Sequence, residues 1–160
     1  MRLLIAAVGR LKAGPERELL DRYVERANAA GRAVSLGPLE IAEIAESQDR
    51  RPSDRMADEA RRLEAAVPKG AKRVLLDSGG KPISSEDFAA RLAGLRDQGT
   101  SGAVFMIGGA DGLDPALKAK ADLTVSYGAD TFPHQIVRIL LAEQIYRAIT
   151  ILSGHPYHRA

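Results

Sequence analysis

Two hydrophobic rhythms alternate along the chain. Arg2–Val8 reads RLLIAAV, an apolar run closed by Gly9, and predicts a buried strand. Pro15 then opens a segment in which Leu19, Leu20, Tyr23, Val24 and Ala27 recur at helical spacing, with charges opposite. Residues 28–31 end that helix, and residues 33–44 contain a second strand interrupted at Gly37-Pro38. Residues 46–53 are polar and aperiodic, which predicts a loop. Ser53 is expected to cap a helix with Met56, Ala57, Ala60, Leu63 and Val67 on one side, stopped by Pro68-Lys69-Gly70.

The second half repeats the alternation. RVLLD at 73–77 predicts a strand, SGGKPIS at 78–84 a glycine-rich turn, and Ser84 with Asp87 a variant capping box for a helix to about Gln98. GAVFMI at Gly102–Ile107 predicts a strand and GGADGLD at 108–114 a second glycine-rich turn. A short helix opens at Pro115, a short strand occupies 123–125, and 126–132 is a loop. Pro133 opens the longest helix, ending near Ser153 before the tail GHPYHRA. Strands alternating with helices predict one α/β domain over residues 1–160, with a mostly parallel sheet and flanking helices. Ligands of such sheets sit beyond the strands' carboxyl ends, which singles out 77–81, 107–112 and 126–132. The last helix is apolar nearly all round, so it must be buried on more than one side. Its second side is expected to pack on another copy of the chain, as a homodimer.

Composition narrows the chemistry. With 45% apolar residues the chain is not disordered, and no uncharged run reaches the roughly 18 residues of a membrane span. Cysteine is absent, which excludes disulfides, thiolate metal sites and a cysteine nucleophile. The first residues carry only a six-residue apolar stretch and no cleavage pattern, so no signal peptide is expected and the protein is placed in the cytoplasm. Net charge is +2, and residues 131–160 carry that excess together with all three histidines (His134, His155, His158). A mildly basic tail bearing Phe132, Tyr146 and Tyr157 is either a nucleic-acid surface or an ordinary charged one.

Several motifs fail on spacing. Gly80-Lys81 would need glycine at 75 and Ser or Thr at 82 for a phosphate loop; Leu75 and Pro82 stand there. Neither glycine segment has dinucleotide-binding spacing, and no serine sits on a nucleophile elbow. His155 and His158 lack a third ligand at a recognisable spacing, so no metal is expected. What remains is glycine that lets backbone edges approach a flat ligand; the plainer reading of each pair is a tight turn.

In combination the motifs are more specific. Phe105-Met106-Ile107-Gly108-Gly109-Ala110-Asp111-Gly112-Leu113 is followed by Thr131-Phe132-Pro133-His134-Gln135, Arg138, Glu143-Gln144-Ile145-Tyr146-Arg147-Ala148 and Gly154-His155-Pro156-Tyr157-His158-Arg159. With Leu76-Asp77 and Gly80-Lys81, this series resembles the ribosomal RNA large subunit methyltransferase H family of SPOUT-class enzymes over nearly the whole chain. The resemblance implies an S-adenosyl-L-methionine-dependent enzyme that methylates N3 of a pseudouridine in 23S rRNA. It also implies a homodimer and a C-terminal trefoil knot; the periodicity does not show a knot, and the rarity of knots argues against one. By resemblance, Leu76, Gly108, Gly109, Tyr127, Gly128, Ala129, Asp130, Thr131 and Phe132 form the cofactor site. Many members carry Leu-Ser at 127–128 and an apolar residue at 130, so contacts there fall to the backbone.

Tyr157, His158 and Arg159 are the candidate catalytic groups: a stacking or donating phenol, an imidazole to take a proton, and a cation for a phosphate or carbonyl oxygen. Arg138 and Arg147 are candidate RNA contacts, although Glu143 and Arg147 also make an i,i+4 pair. The modest charge and lack of a separate RNA-binding domain favour action on the assembled ribosome rather than free rRNA. Two alternatives stay open: a SPOUT methyltransferase acting on tRNA, and a non-catalytic ribosome-associated binding protein.

Overall fold

The computed structural model describes residues 1–158. Five parallel strands form one sheet: β1 (Arg2–Val8), β2 (Leu39–Ile44), β3 (Lys72–Pro82), β4 (Gly102–Ile107) and β5 (Leu123–Ser126), in the order β2-β1-β4-β3-β5. Five helices connect or follow them: α1 (Pro15–Gly31), α2 (Pro52–Ala65), α3 (Ser85–Asp97), α4 (Pro115–Lys118) and α5 (His134–Ser153).

Helices cover both faces, which is why the central strands read as unbroken apolar runs. Successive strand residues point to opposite faces. Leu3, Ile5 and Ala7 of β1 with Phe105 and Ile107 of β4 therefore enter one core, closed by α1, α3 and α5. Ala6 and Val8 with Val104 and Met106 enter the other, closed by Leu63 of α2 and Leu117 of α4.

Most predicted elements form, with four differences. Residues 33–36 are not strand: a short 3-10 turn, Arg32–Val34, leads to Ser35 at φ 56°, and β2 starts at Leu39. Ser53 is not a cap. Pro52 holds the first helical position of α2, Arg51 precedes it, and the Ser53 hydroxyl lies 3.5 Å from Asp54 Oδ1. The segment SGGKP is not a turn but the second half of β3. After Leu76 the register with β5 shifts, and pairing resumes at Lys81↔Val125 and Pro82↔Ser126. Gly80 permits this, because a Cβ there would lie 2.9 Å from both Thr124 Cγ2 and the Val125 carbonyl carbon. Ser84 does cap α3, accepting from Asp87 N–H at 3.0 Å.

The fourth difference concerns α5. The sheet, α1 and α3 pack on it and bury Leu141, Ala142, Ile145, Ala148 and Ile149, while Val137, Leu140, Ile151 and Leu152 stay half-buried. Neighbours within the chain thus account for most of the apolar surface of α5, without bearing on whether a second copy packs on the rest. Phe132 and Ile136, both well exposed at the start of α5, are the apolar groups left uncovered there. Among the described residues no helix is long and apolar enough to cross a membrane.

Candidate functional site

A cavity of about 190 Å³ opens on the sheet where β4 and β5 end and β3 shifts its register with β5. Three segments wall it: Leu76, Asp77 and Ser78 in the middle of β3, where its register with β5 shifts; Ile107 at the end of β4 with Gly108, Gly109, Gly112 and Leu113 after it; and Val125 through Gly128 with Asp130, Thr131 and Phe132 around the end of β5. His134 and Val137, on the first turn of α5, close the fourth side.

Each wall is fixed locally. The β4 loop doubles back through a Gly109↔Gly112 bridge, with Gly112 N–H donating to the Gly109 carbonyl at 3.0 Å. Gly108 must be glycine, because a Cβ there would stand 2.7 Å from the Gly112 carbonyl carbon and oxygen. In the β5 loop, buried Ser126 donates to the Gly128 carbonyl at 2.8 Å and accepts from Gly128 N–H at 3.1 Å. Asp77 accepts from Gly79 N–H at 2.9 Å and pairs with Lys118 of α4 at 2.6 Å. Burial pushes the Asp77 pKa up, but the bonds from Lys118 and Gly79 outweigh it, and the net shift is downward. Burial, aided by the charge of Glu143, raises the Tyr127 phenol well above its ordinary value, so it stays neutral and can donate.

Eight of the nine candidate cofactor residues line this cavity: Leu76, Gly108, Gly109, Tyr127, Gly128, Asp130, Thr131 and Phe132. Ala129 does not. His134 and Val137 join the wall without having been expected there. The signal available was positional: a helix opening directly after a strand-end loop turns its first-turn residues toward that loop.

The candidate catalytic tail lies elsewhere. The Tyr157 ring packs on Tyr146 at a centroid distance of 4.6 Å, and its hydroxyl donates to Glu143 Oε1 at 3.0 Å. His158 Nε2 lies 2.9 Å from Glu86 Oε1 at the start of α3. His158 Nδ1 is buried without a partner among the described residues. Neither Tyr157 nor His158 lines the cavity of its own chain. Arg159 lies outside the described residues. Burial, then bonds with Tyr23 and Glu143, raise the Tyr157 phenol, so it too is a donor at neutral pH.

The two candidate RNA contacts are already engaged. Arg138 is fully buried. It donates to the Val8 carbonyl at 3.0 Å, to the Gly9 carbonyl at 3.2 Å and to Glu43 Oε1 at 3.2 Å. It therefore ties α5 to the end of β1 and cannot reach a phosphate. An arginine in an apolar helix reads as a surface cation in sequence; only the strand-end carbonyls beneath it show otherwise. Arg147 donates twice to Glu143 Oε1, at 2.9 and 2.6 Å, and its guanidinium lies 4.9 Å over the Tyr157 ring. Its role within the chain is to hold the tail on α5.

A family model described as a predicted SPOUT methyltransferase matches residues 1–158. The chain is 59% identical to the ribosomal RNA large subunit methyltransferase H of Xanthobacter autotrophicus over 160 residues, the whole of both chains. Full-length identities to the proteins of the same name from Rhodopseudomonas palustris and Mesorhizobium japonicum are 55% and 54%. Among solved structures, the SpoU methyltransferase AviRb of Streptomyces viridochromogenes in complex with AdoMet aligns over 91% of this chain and 57% of its own, at 17% identity and a TM-score of 0.43. A match that runs from the first strand to the docked tail, with the cavity's three loops inside it, leaves no segment to another family, and the chain belongs to the SPOUT methyltransferases.

Proposed function

We propose that the chain methylates N3 of a pseudouridine in 23S rRNA, with S-adenosyl-L-methionine as methyl donor, on the assembled ribosome. The observation that carries the reading is the cavity where β4 and β5 end and β3 shifts its register, with its backbone-edged glycine loop and apolar walls. Full-length relatives named for ribosomal RNA methylation support the substrate class.

The lining suits the donor. Leu76, Ile107, Leu113 and Val125 offer apolar surface for a flat adenine, while Gly108, Gly109 and Gly128 bring backbone polar groups close. Asp77, kept ionised, and Asp130 supply negative charge near a cationic ligand. When bound, the cofactor supplies a methyl group on a sulfonium, which leaves as a neutral thioether. The residues then have two tasks: to align acceptor nitrogen and methyl, worth roughly 7–11 kcal/mol of barrier, and to accept the imide proton.

His158 is the proposed proton acceptor. With Nε2–H donating to Glu86, Nδ1 has no partner among the described residues but is buried there, so taking the proton requires the ring to turn out toward the substrate. Tyr157 is proposed to donate to a ring carbonyl, and Arg159 to hold a phosphate or carbonyl oxygen. Because Tyr157 and His158 stand off their own chain's cavity, the proposal has the tail of one subunit complete the cavity of the other in a homodimer. The trefoil knot implied by the resemblance belongs to the same reading.

The test is transfer of a radiolabelled methyl group to ribosomes, protein-free rRNA and tRNA, with mass spectrometry of the product. Label on N3 of a 23S pseudouridine, strongest on ribosomes, is expected. Label on tRNA alone, or no cofactor binding by calorimetry, refutes the reading; equal labelling of free rRNA refutes its ribosomal context.

A further inference from the structure

The cavity is where the proposal above seats the methyl donor, but a nucleobase arrives on a polyanionic strand, and the two expected phosphate contacts are buried or engaged. We propose that the loops after β1 and β2 form the phosphate-binding rim for the RNA substrate, through Arg10, Lys12, Arg50 and Arg51. The proposal rests on the rRNA reading above and names the surface that reading lacks.

Both loops abut the cavity. The first starts at Gly9, where a Cβ would lie 3.6 Å from Nε2 of His134, a residue of the cavity wall. Arg10 follows directly. The second loop is fixed to the β4 loop by Arg55. Arg55 Nε and Nη2 donate to the Asp111 carboxylate at 2.7 and 3.1 Å, and Nη1 donates to the Asp49 and Arg50 carbonyls at 3.0 Å each. Arg50 and Arg51 are thereby mounted beside the turn whose Gly109 and Gly112 face the cavity.

The distribution of partners separates these four cations from the rest of this edge. Arg17, Arg55 and Arg138 are spent on Glu43 and Asp111. Arg10, Lys12, Arg50 and Arg51 are exposed and form no ion pair among the described residues. The nearby carboxylates are mostly committed. Glu43 accepts from Leu11 N–H, Arg17 and Arg138, and Asp111 accepts from Arg55. Asp49 takes the Ser47 hydroxyl, and Glu46 lies against Gly9, 2.9 Å from where a Cβ would stand. Asp54 sits in the first turn of α2, where the helix dipole favours a negative charge.

The backbones carrying the free cations are held by the paired ones. Gly9 N–H donates to the Ile44 carbonyl at 2.7 Å, and Arg17 donates to the Leu11 carbonyl at 2.7 Å. A fixed backbone bearing free guanidinium and ammonium groups suits phosphates, which these groups bind without reading sequence.

The test uses the full-length variants Arg10→Glu/Lys12→Glu and Arg50→Glu/Arg51→Glu. The control is Arg2→Glu/Lys69→Glu, the same charge change at the opposite edge, where Arg2 N–H and the Lys69 carbonyl both bond Ser101. Cofactor affinity is measured by calorimetry, and methyl transfer to ribosomal particles is followed against particle concentration and salt. Each rim variant is expected to keep cofactor affinity and kcat, raise KM for the particle about tenfold, and flatten the salt dependence of kcat/KM by about two logarithmic units per decade of salt. The control is expected to match the parent chain. Rim variants with parental KM and salt slope overturn the proposal and leave the functional reading standing. A control as impaired as the rim variants also overturns it, since the effect is then bulk charge. Failure of the parent chain to methylate the particle overturns the functional reading, and this proposal with it.

Discussion

Replacing Arg138 with Met separates a structural arginine from an RNA contact. The guanidinium is fully buried and donates to the carbonyls of Val8 and Gly9 and to Glu43. Methionine fills much of the volume but supplies no donor. Glu43 keeps Arg17 and the Leu11 amide, so its charge is not stranded. The loss falls on the strand-end carbonyls, at about 1–3 kcal/mol for each buried acceptor left unsatisfied. Val8 and Gly9 together set the cost at about 3 kcal/mol after the apolar stem is credited. A chain of this size loses roughly 2–4 °C of Tm per kcal/mol, so Arg138→Met should melt about 6–12 °C lower by circular dichroism. Below that temperature, KM for ribosomal particles and its salt dependence should match the parent chain. An unchanged Tm with a raised KM and a flatter salt slope would refute the burial argument and restore Arg138 as a phosphate contact.

Gly108→Ala should cost about 1–3 kcal/mol and weaken cofactor binding at least tenfold by calorimetry, since its Cβ would meet the Gly112 carbonyl at 2.7 Å. Asp77 has a folded pKa below its unfolded value, so its pair with Lys118 stabilises the chain above the ordinary carboxylate range and ceases to do so as pH falls through the lower, folded value. The Tm gap between the parent and Asp77→Asn should therefore be full at about pH 6 and close on acidification toward about pH 2; a gap that widens on acidification contradicts this. Tyr157→Phe should cost about 1 kcal/mol, because Glu143 retains Arg147 and Gln144, and should leave cofactor affinity unchanged while lowering kcat. Light scattering should give twice the chain mass, and Ile136→Glu, at an exposed apolar position beside the cavity, should return the single-chain mass.

What was legible in the sequence was what local pattern carries. GAVFMI is a strand at its predicted bounds, Ser84 caps its helix, and the three segments singled out for a ligand meet in one cavity. What was not legible depends on partners far along the chain. SGGKP reads as a turn until β5 pairs with its end. The all-round apolarity of α5 reads as calling for a second copy, and α1 and α3 are seen to cover most of it within the chain. Tyr157 and His158 read as groups free to reach a substrate until Tyr146, Glu143 and Glu86 are seen to hold them.

The readings of the last helix and of the tail meet on α5, and the helix explains why. His134 and Val137 wall the cavity, Arg138 one turn on grips the end of β1, and Glu143, Tyr146 and Arg147 hold the tail. At 1.5 Å per residue, the thirteen steps from His134 to Arg147 cover about 20 Å, so one rigid rod fixes the distance between cavity and tail. Tyr157 and His158 then stand at a set offset from their own chain's cavity. A reaction that needs both the cavity and the tail is served by a second rod set against the first. The proposed homodimer thus draws its argument from the separation built into α5, and the Ile136→Glu variant tests it where the rod meets the cavity.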